Sequence, residues 1–332
     1  MQFRKNDKRV GFLLIANEGA LEELRRFGEA LSGFRRPESG ALRQALTRVG
    51  RFVRVEREEP GKTIRSVIAV DGSCQRAGAA YPYYLTLIQA VAVTFPPTAR
   101  PLVRHRIFSP LFPEERTAVE VRAGGTQPAE VAAESRVREL MAEVELTAAR
   151  EAALKFRGAI VLLDGGFIHF RARAGALFDQ LVQVVIENNQ LLIGVIEEIS
   201  SRLLGELVGD LWAGSDPPYD REILLGCMEV GEALVLSPEL VKDAGIGTVF
   251  ARFAAHPQPV AFDFLTAQEK QLAEVLGILR ALTPRDGRGI PAAVDIADRN
   301  VRLTAAEVEQ LVAATVPAEV REALLTAHRL RR

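Results

Sequence analysis

The 332-residue chain is short of the side chains that most often act as nucleophiles or soft metal ligands: two cysteines and four histidines. Cys74 and Cys227 form neither a thiolate cluster nor a disulfide framework, which fits a reducing, cytoplasmic setting. His105, His169, His256 and His328 are scattered without ligand spacing and read as ordinary surface or loop residues. Lysine is scarce too, six against 36 arginines. GC-rich coding explains that bias more simply than phosphate recognition does, although arginine suits bidentate phosphate contacts. No apolar run approaches the roughly 18 residues that a membrane span needs. Val10–Ala16 is too short for a signal peptide and follows a mixed-charge start, so no membrane association is expected. The net charge of −1 gives no global pull toward nucleic acid. No Gly-x-Gly-x-x-Gly or Walker A loop, internal repeat or low-complexity tract is present.

What the chain does have is apolar residues, 48% of the total, enough to bury one large core or two smaller ones. Within Thr63–Ser73 the run Val67-Ile68-Ala69-Val70 meets Asp71 and then Gly72-Ser73. β-branched residues before a glycine turn predict a buried strand that ends at Asp71. The figure recurs downstream, where Ala159–Leu163 runs into Asp164-Gly165-Gly166. Two strands each delivering an aspartate can bring two carboxylates to one hard divalent cation, Mg²⁺ or Mn²⁺. Either one alone reads equally as an Asx turn after a strand.

In chain order, Glu18–Leu31 is an expected amphipathic helix with Leu21, Leu24, Phe27 and Leu31 on one face, and Ser39–Val53 a second carrying Arg43, Arg48 and Arg51. After the charged loop Glu56–Lys62, strands are expected to Asp71, over Tyr83–Phe95 and over Leu102–Phe108, the last alternating with Arg104 and Arg106. A polar stretch, Ser109–Gln127, leads to a helix over Pro128–Phe156 and a fourth strand over Ala159–Leu163. Strand, strand, strand, helix, strand, with acids ending the first and fourth, is the order of an α/β, RNase H-like core: a mixed sheet flanked by helices, with added N-terminal and C-terminal helices. Further on, helices are expected over Leu177–Asn188, Glu197–Asp210, Ala267–Leu282, Thr304–Ala314 and Pro317–Arg329. The segment Gly214–Tyr219 reads as a loop, and Gly247–His256 with Val260–Phe264 as a strand pair covering the sheet.

On the long helix Val137, Met141, Val144 and Ala148 form a core-facing stripe. Glu145 adjoins that stripe, whereas Glu139 and Glu143 fall on the expected solvated side. Glu145 is therefore either a third carboxylate facing the sheet's edge or a surface residue paired with Arg150.

These motifs resemble the NurA nucleases of archaea and bacteria. The shared features are Val70–Ser73 (Val-Asp-Gly-Ser), Glu145 on a helix, and Leu163–Gly165 (Leu-Asp-Gly). They continue with Gly194-Val195-Ile196-Glu197, then Asp220-Arg221 with Leu225 and Gly231-Glu232, and last Gly289-Ile290-Pro291 with Ala297-Asp298. The resemblance covers roughly residues 60–305 and implies a domain plan of a 1–60 helical extension, a 61–305 nuclease domain and a 306–332 helical tail. It implies a 5′ to 3′ DNA exonuclease, with endonuclease action on single strands, that uses Asp71, Glu145 and Asp164 to hold two Mn²⁺ or Mg²⁺ ions. It also implies a homodimer working with a HerA-type hexameric translocase at double-strand breaks, near the nucleoid. Ser73, Arg104 and Arg106 are the candidates for DNA contact.

The departures from the family pattern are Glu197 where it has lysine, Ile290 for tyrosine and Asp298 for histidine. Asp298 is taken as a fourth metal ligand, with Asp295 as competitor and an N-cap or a pairing with Arg299 as the structural alternatives. Two other functions compete with the nuclease. An actin-like ATPase or kinase would use both Asp-Gly turns but not Glu145, and a catalytically degenerate DNA- or partner-binding scaffold would account for the three departures.

Overall fold

The structure is a computed structural model that describes residues 18–32, 36–57, 66–211, 217–240 and 243–326. Expectations for Val10–Ala16, for Thr63–Arg65, for residues 212–216 and for His328 lie outside the described residues. Among the described residues, nine strands form one sheet: β1 (Gly50–Arg54), β2 (Val67–Gly78), β3 (Tyr84–Phe95), β4 (Leu102–Phe108), β5 (Ile160–Asp164), β6 (Leu191–Ile196), β7 (Glu232–Leu236), β8 (Ile246–Arg252) and β9 (Val260–Leu265). The helices are α1 (Glu18–Leu31), α2 (Ser39–Leu46), α3 (Pro113–Ala123), α4 (Ala129–Lys155), α5 (Phe167–Glu187), α6 (Leu203–Val208), α7 (Asp220–Leu224), α8 (Leu272–Leu282), α9 (Ala292–Val301) and α10 (Ala305–Thr315).

The strand order is β1-β7-β8-β9-β6-β5-β2-β3-β4. Strands β2, β3 and β4 form an antiparallel meander, while β5 lies parallel to both β2 and β6. The parallel step is bridged by α4, and β2 to β6 together form an RNase H-like core, of which β2 to β5 are the strands expected from the sequence. The rest of the sheet differs from expectation. Strands β8 and β9 do not cover the sheet; they extend it through β6, and β7 and β1 carry it further.

Alternating side chains send the sheet's two faces into separate cores. Ile68, Val70, Val161 and Leu163 pack under α4 and α5, and Val67, Ala69, Ile160 and Leu162 pack against α8 and α9. A third core, around Leu42, Leu46, Leu204 and Phe250, fills the space under α2, α6 and α7. Burying a leucine, isoleucine or phenylalanine is worth about 1.5–3 kcal/mol, so α4, with ten buried residues, is held by packing on most of its circumference. Its stripe is wider than the sequence suggests.

Several boundaries move for local reasons. The second helix stops at Leu46, because Gly50–Arg54 pairs with β7; a Cβ on Gly50 would lie 2.5 Å from the Val235 carbonyl oxygen. The first 60 residues therefore give the sheet a strand as well as helices. Helix α3 rises within the polar stretch 109–127, and α5 starts ten residues before the expected Leu177, with a kink at Ala174. Strands β6 and β7 and helix α9 carry no strong periodicity and are not evident from the sequence. The expected helix 197–210 shrinks to α6 and one 3₁₀ turn. No described helix is long and apolar enough to cross a membrane.

Candidate active site

Strand β2 does not end at Asp71. It continues through Gly72 to Gly78, while its neighbour β5 stops at Asp164. The last registered pair is Val70↔Leu163, so Asp71 and Asp164 stand side by side just beyond it. Neighbouring strands lie about 5 Å apart, close enough for the two carboxylates to feel each other. The expected strand end at Asp71 is thus replaced by the end of the partner strand beside it, which opens the step. Gly165 then turns the chain at φ 127° into the N-terminus of α5.

Gly72 shows what fills the other side of the step. A Cβ there would lie 2.6 Å from the Met141 sulfur, 2.8 Å from Glu145 Cδ and closer still to Glu145 Oε1. The missing side chain is what lets α4 lay Glu145 against β2 next to Asp71. Glu143, two residues earlier on the helix, turns elsewhere, to Arg136 at 3.2 Å and Arg106 at 3.7 Å. Neither Glu139 nor Glu143 is solvated as expected, with side chains 18% and 30% exposed inside a network with Arg122, Arg136 and Arg106. The cation nearest to Glu145 in effect is Arg173, not Arg150.

The electrostatics join the three acids. Burial, then Asp164, push the Asp71 carboxyl up to about 7; the Gly72 N–H and Arg302 act against this. Burial, then Glu197 and Asp298, raise Asp164 to about 6, with Arg288 opposing, although Asp164 keeps an exposed flank. Glu145 is driven well above its ordinary range by burial first and then by Asp71 and Asp164. Like charges this close resist joint ionisation unless a cation joins them. Among the described residues, no three His, Cys, Asp or Glu side chains converge tightly enough to hold an ion as they stand.

Asp298 reaches this cluster from α9, where it influences both Asp71 and Asp164. It lies inside the helix rather than at an N-cap, and it pairs with Arg302 at 2.7 Å rather than with Arg299. Its neighbour Asp295 is held by Arg288 at 2.6 Å. Arg288 also grips Glu197 at 2.7 Å, so the acid standing where the family has lysine carries its own counterion. Ile290 is a core residue, 4% exposed. Ser73 Oγ accepts a long bond from the Leu303 N–H, 3.4 Å. Arg104 pairs with Glu151, and Arg106 with Glu115 at 3.2 Å, so both candidate DNA contacts on edge strand β4 are already engaged.

A groove of about 690 Å³ opens beside Asp164, lined among others by Gly165, His169, Glu197, Ser200 and Arg202. No ligand spacing surrounds His169 in the sequence. Its position in the first turn of a helix that starts just after an Asp-Gly-Gly turn is the usable signal. The other motif acids serve the fold. Asp220, fully buried, accepts from Ser201 Oγ at 2.5 Å and from the Leu204 and Gly205 N–H groups at 2.7 and 3.3 Å. Glu232 takes the Arg43 fork at 2.7 and 2.9 Å. Asp263, which no sequence motif marks, caps α5 through the Phe167 N–H at 3.0 Å and accepts from Thr248 Oγ1 at 2.6 Å.

An RNase H-like core with carboxylates gathered where its parallel strands end defines a nuclease class. Residues 65–303 match the NurA domain, and the chain belongs to the NurA family of DNA nucleases. Among solved structures, Bacillus subtilis endonuclease V is similar with a TM-score of 0.39 and 13% identity over 82% of this chain and 90% of that one. The catalytic domain of human endonuclease V gives 0.36 and 15% over 83% and 95%. Ciona intestinalis endonuclease V, in complex with DNA containing an inosine, gives 0.35 and 12% over 82% and 95%. No curated protein matches the chain.

Proposed function

We propose that this chain hydrolyses DNA phosphodiester bonds at the step between β2 and β5, with Asp71, Glu145 and Asp164 as the working carboxylates. The observation that carries the reading is the placement of Glu145 against Gly72, next to Asp71, with Asp164 at the end of the neighbouring strand. Family membership suggests dependence on a divalent metal, and the donor chemistry fits: three carboxylate groups, all oxygen, whose mutual repulsion a hard cation would relieve. Asp71, Glu145 and Asp164 would hold Mn²⁺ or Mg²⁺, as a pair of ions, with Asp298 as fourth ligand. Such ions supply Lewis acidity and an activated water.

The protein's own part is positional. Gly72 keeps Glu145 against β2, and the end of β5 leaves Asp164 free on the groove side. Arg302 and Arg288 hold Asp298, Asp295 and Glu197 in place, and Glu197 and Glu198 make the groove mouth acidic. The finer reading follows the family: 5′ to 3′ exonuclease action with endonuclease action on single strands, in end resection near the nucleoid, by a homodimer served by a HerA-type translocase. The exposed face of α1, with Leu24, Phe27 and Leu31 all more than half exposed, supports partner binding there.

The degenerate scaffold stays a second reading because Glu197 and Asp298 are both tied up by arginines. The ATPase or kinase reading loses its support, since it has no use for Glu145. Incubating the purified chain with end-labelled DNA under Mn²⁺, Mg²⁺ and EDTA tests the proposal. Cleavage that needs metal and vanishes in Asp71→Ala and Asp164→Ala bears it out. Absence of cleavage would turn the reading to the scaffold, and cleavage that needs no metal would overturn the metal-carboxylate site.

A further inference from the structure

On the other half of the sheet, a recess of about 410 Å³ is lined by Arg54, Arg57, Arg280 and Arg285, with Asp286 the one acid on its wall. Among the described residues these arginines make a single ion pair, Arg54 with Glu229 at 3.5 Å, between two exposed side chains. Arg57 donates to the Ala281 carbonyl oxygen at 3.0 Å and Arg280 to that of Val55, which orients both guanidinium groups without neutralising them. Room for the Arg280 head comes from Gly231, where a Cβ would lie 2.6 Å from the guanidinium carbon. The Gly231-Glu232 motif thus seats a cation as well as pairing Arg43.

The recess has a definite relation to the acids. Asp164, Val195, Phe262, Val249, Val235 and Arg51 form one row across the registers, and Arg54 lies three residues beyond that row toward the edge at which β5 ends. Five strand spacings separate β5 from β1, or about 24 Å at about 4.8 Å each. That is the length of roughly seven stacked nucleotides at about 3.4 Å per step.

We propose that this four-arginine recess is a phosphate-binding site, and that the phosphate it takes belongs to the DNA strand whose scissile bond lies at Asp71, Glu145 and Asp164. Arginine forks suit phosphate oxygens, and burial together with Arg54, Arg57 and Arg285 lowers the Arg280 pKa, opposed by Glu56. The strand assignment rests on the nuclease reading above; the phosphate assignment does not.

The test compares the full chain with Arg54→Gln/Arg57→Gln/Arg285→Gln, whose positions are exposed, by fluorescence anisotropy in EDTA on single strands of about 4 and about 12 nucleotides. The variant is expected to bind the longer strand roughly tenfold more weakly, with a salt slope smaller by about 0.7 for each phosphate that it no longer neutralises, and the shorter strand equally well. The corresponding triple lysine variant should recover most of the affinity, and thermal melting should match the parent. Parental affinity and salt slope in the glutamine variant would overturn the strand assignment. Calorimetry with inorganic phosphate and with AMP separates the sources. Binding by the parent and not by the variant, with DNA binding unchanged, would assign the recess to a free phosphate compound; no difference in either assay would overturn the site altogether. A parent that binds DNA but never cuts it would remove the nuclease reading and leave the recess to be judged on binding.

Discussion

Two regions of this sheet hold wholly or partly buried carboxylates and treat them in opposite ways. Under α6 and α7, and at the start of α5, Asp220 and Asp263 accept hydrogen bonds from hydroxyl and backbone donors. On the edge side of β7, the Arg43 fork holds Glu232 below its ordinary range. At the step between β2 and β5, Asp71, Glu145 and Asp164 have few donors; burial raises all three pKa values, joined by Asp164 at Asp71, by Asp71 and Asp164 at Glu145, and by Glu197 and Asp298 at Asp164. Acids of the first kind complete the fold, whereas those of the second make it less stable at neutral pH.

The largest expected effect follows directly. Asp71→Ala and Asp164→Ala should each abolish metal-dependent cleavage while melting at or above the parental temperature, since removing a repelling acid relieves strain. A mutant that cuts normally, or one that unfolds, breaks the contrast. Glu145→Gln should behave likewise, while Glu143→Gln, which loses part of an arginine network, keeps its activity. Next in size, Asp220→Ala should cost about 3 kcal/mol, because it leaves buried N–H groups unpaired. Chemical denaturation measures this.

A pH series sharpens the comparison. Without metal, the folded chain holds protons at Asp71 and Asp164 that the unfolded chain releases near pH 3.8. Stability should therefore fall as pH rises through the window up to about 6 for Asp164 and about 7 for Asp71. Asp71→Asn should flatten that fall, and added Mn²⁺ should restore stability at the upper end. A melting temperature that rises steadily from about pH 5 to about pH 7 in EDTA would count against it. The smallest effect is at Asp298. Its Arg302 pair is worth only about 0.2–0.5 kcal/mol, so Asp298→Ala should melt almost normally and regain part of its cleavage at high Mn²⁺. An unchanged metal titration would make the residue structural.

The core of this picture is legible in the chain because it is written in short-range terms. Val67–Asp71 and Ile160–Asp164 are apolar runs with an acid at a definite end, so pattern alone marks two carboxylates; Glu145 borders a helical stripe, which leaves it open between the site and the surface until the family resemblance is added. What stays hidden depends on contacts across the chain. Val-Gly-Arg-Phe-Val-Arg at 49–54 holds a strand only because β7 offers it an edge. β6 and β7 are short buried runs that periodicity cannot separate from helix, and α9 lies behind a proline in a polar segment. Arg288 reaches Glu197 over 91 residues of chain, and no local pattern could announce that a family lysine had been exchanged for an ion pair.

Gly72 carries a consequence for the chain's history. Its N–H donates to Asp71 Oδ1 at 2.7 Å, and any side chain there would have to displace the carboxylate end of Glu145 and the sulfur of Met141. In a saturation library scored for activity, tolerance at that position should fall with side-chain size, because larger groups push the Glu145 carboxylate further from Asp71. A hydrogen atom would then be under selection for its size, and a reader of the resulting sequence record would be tempted to give the glycine a chemical role when its work is to leave room.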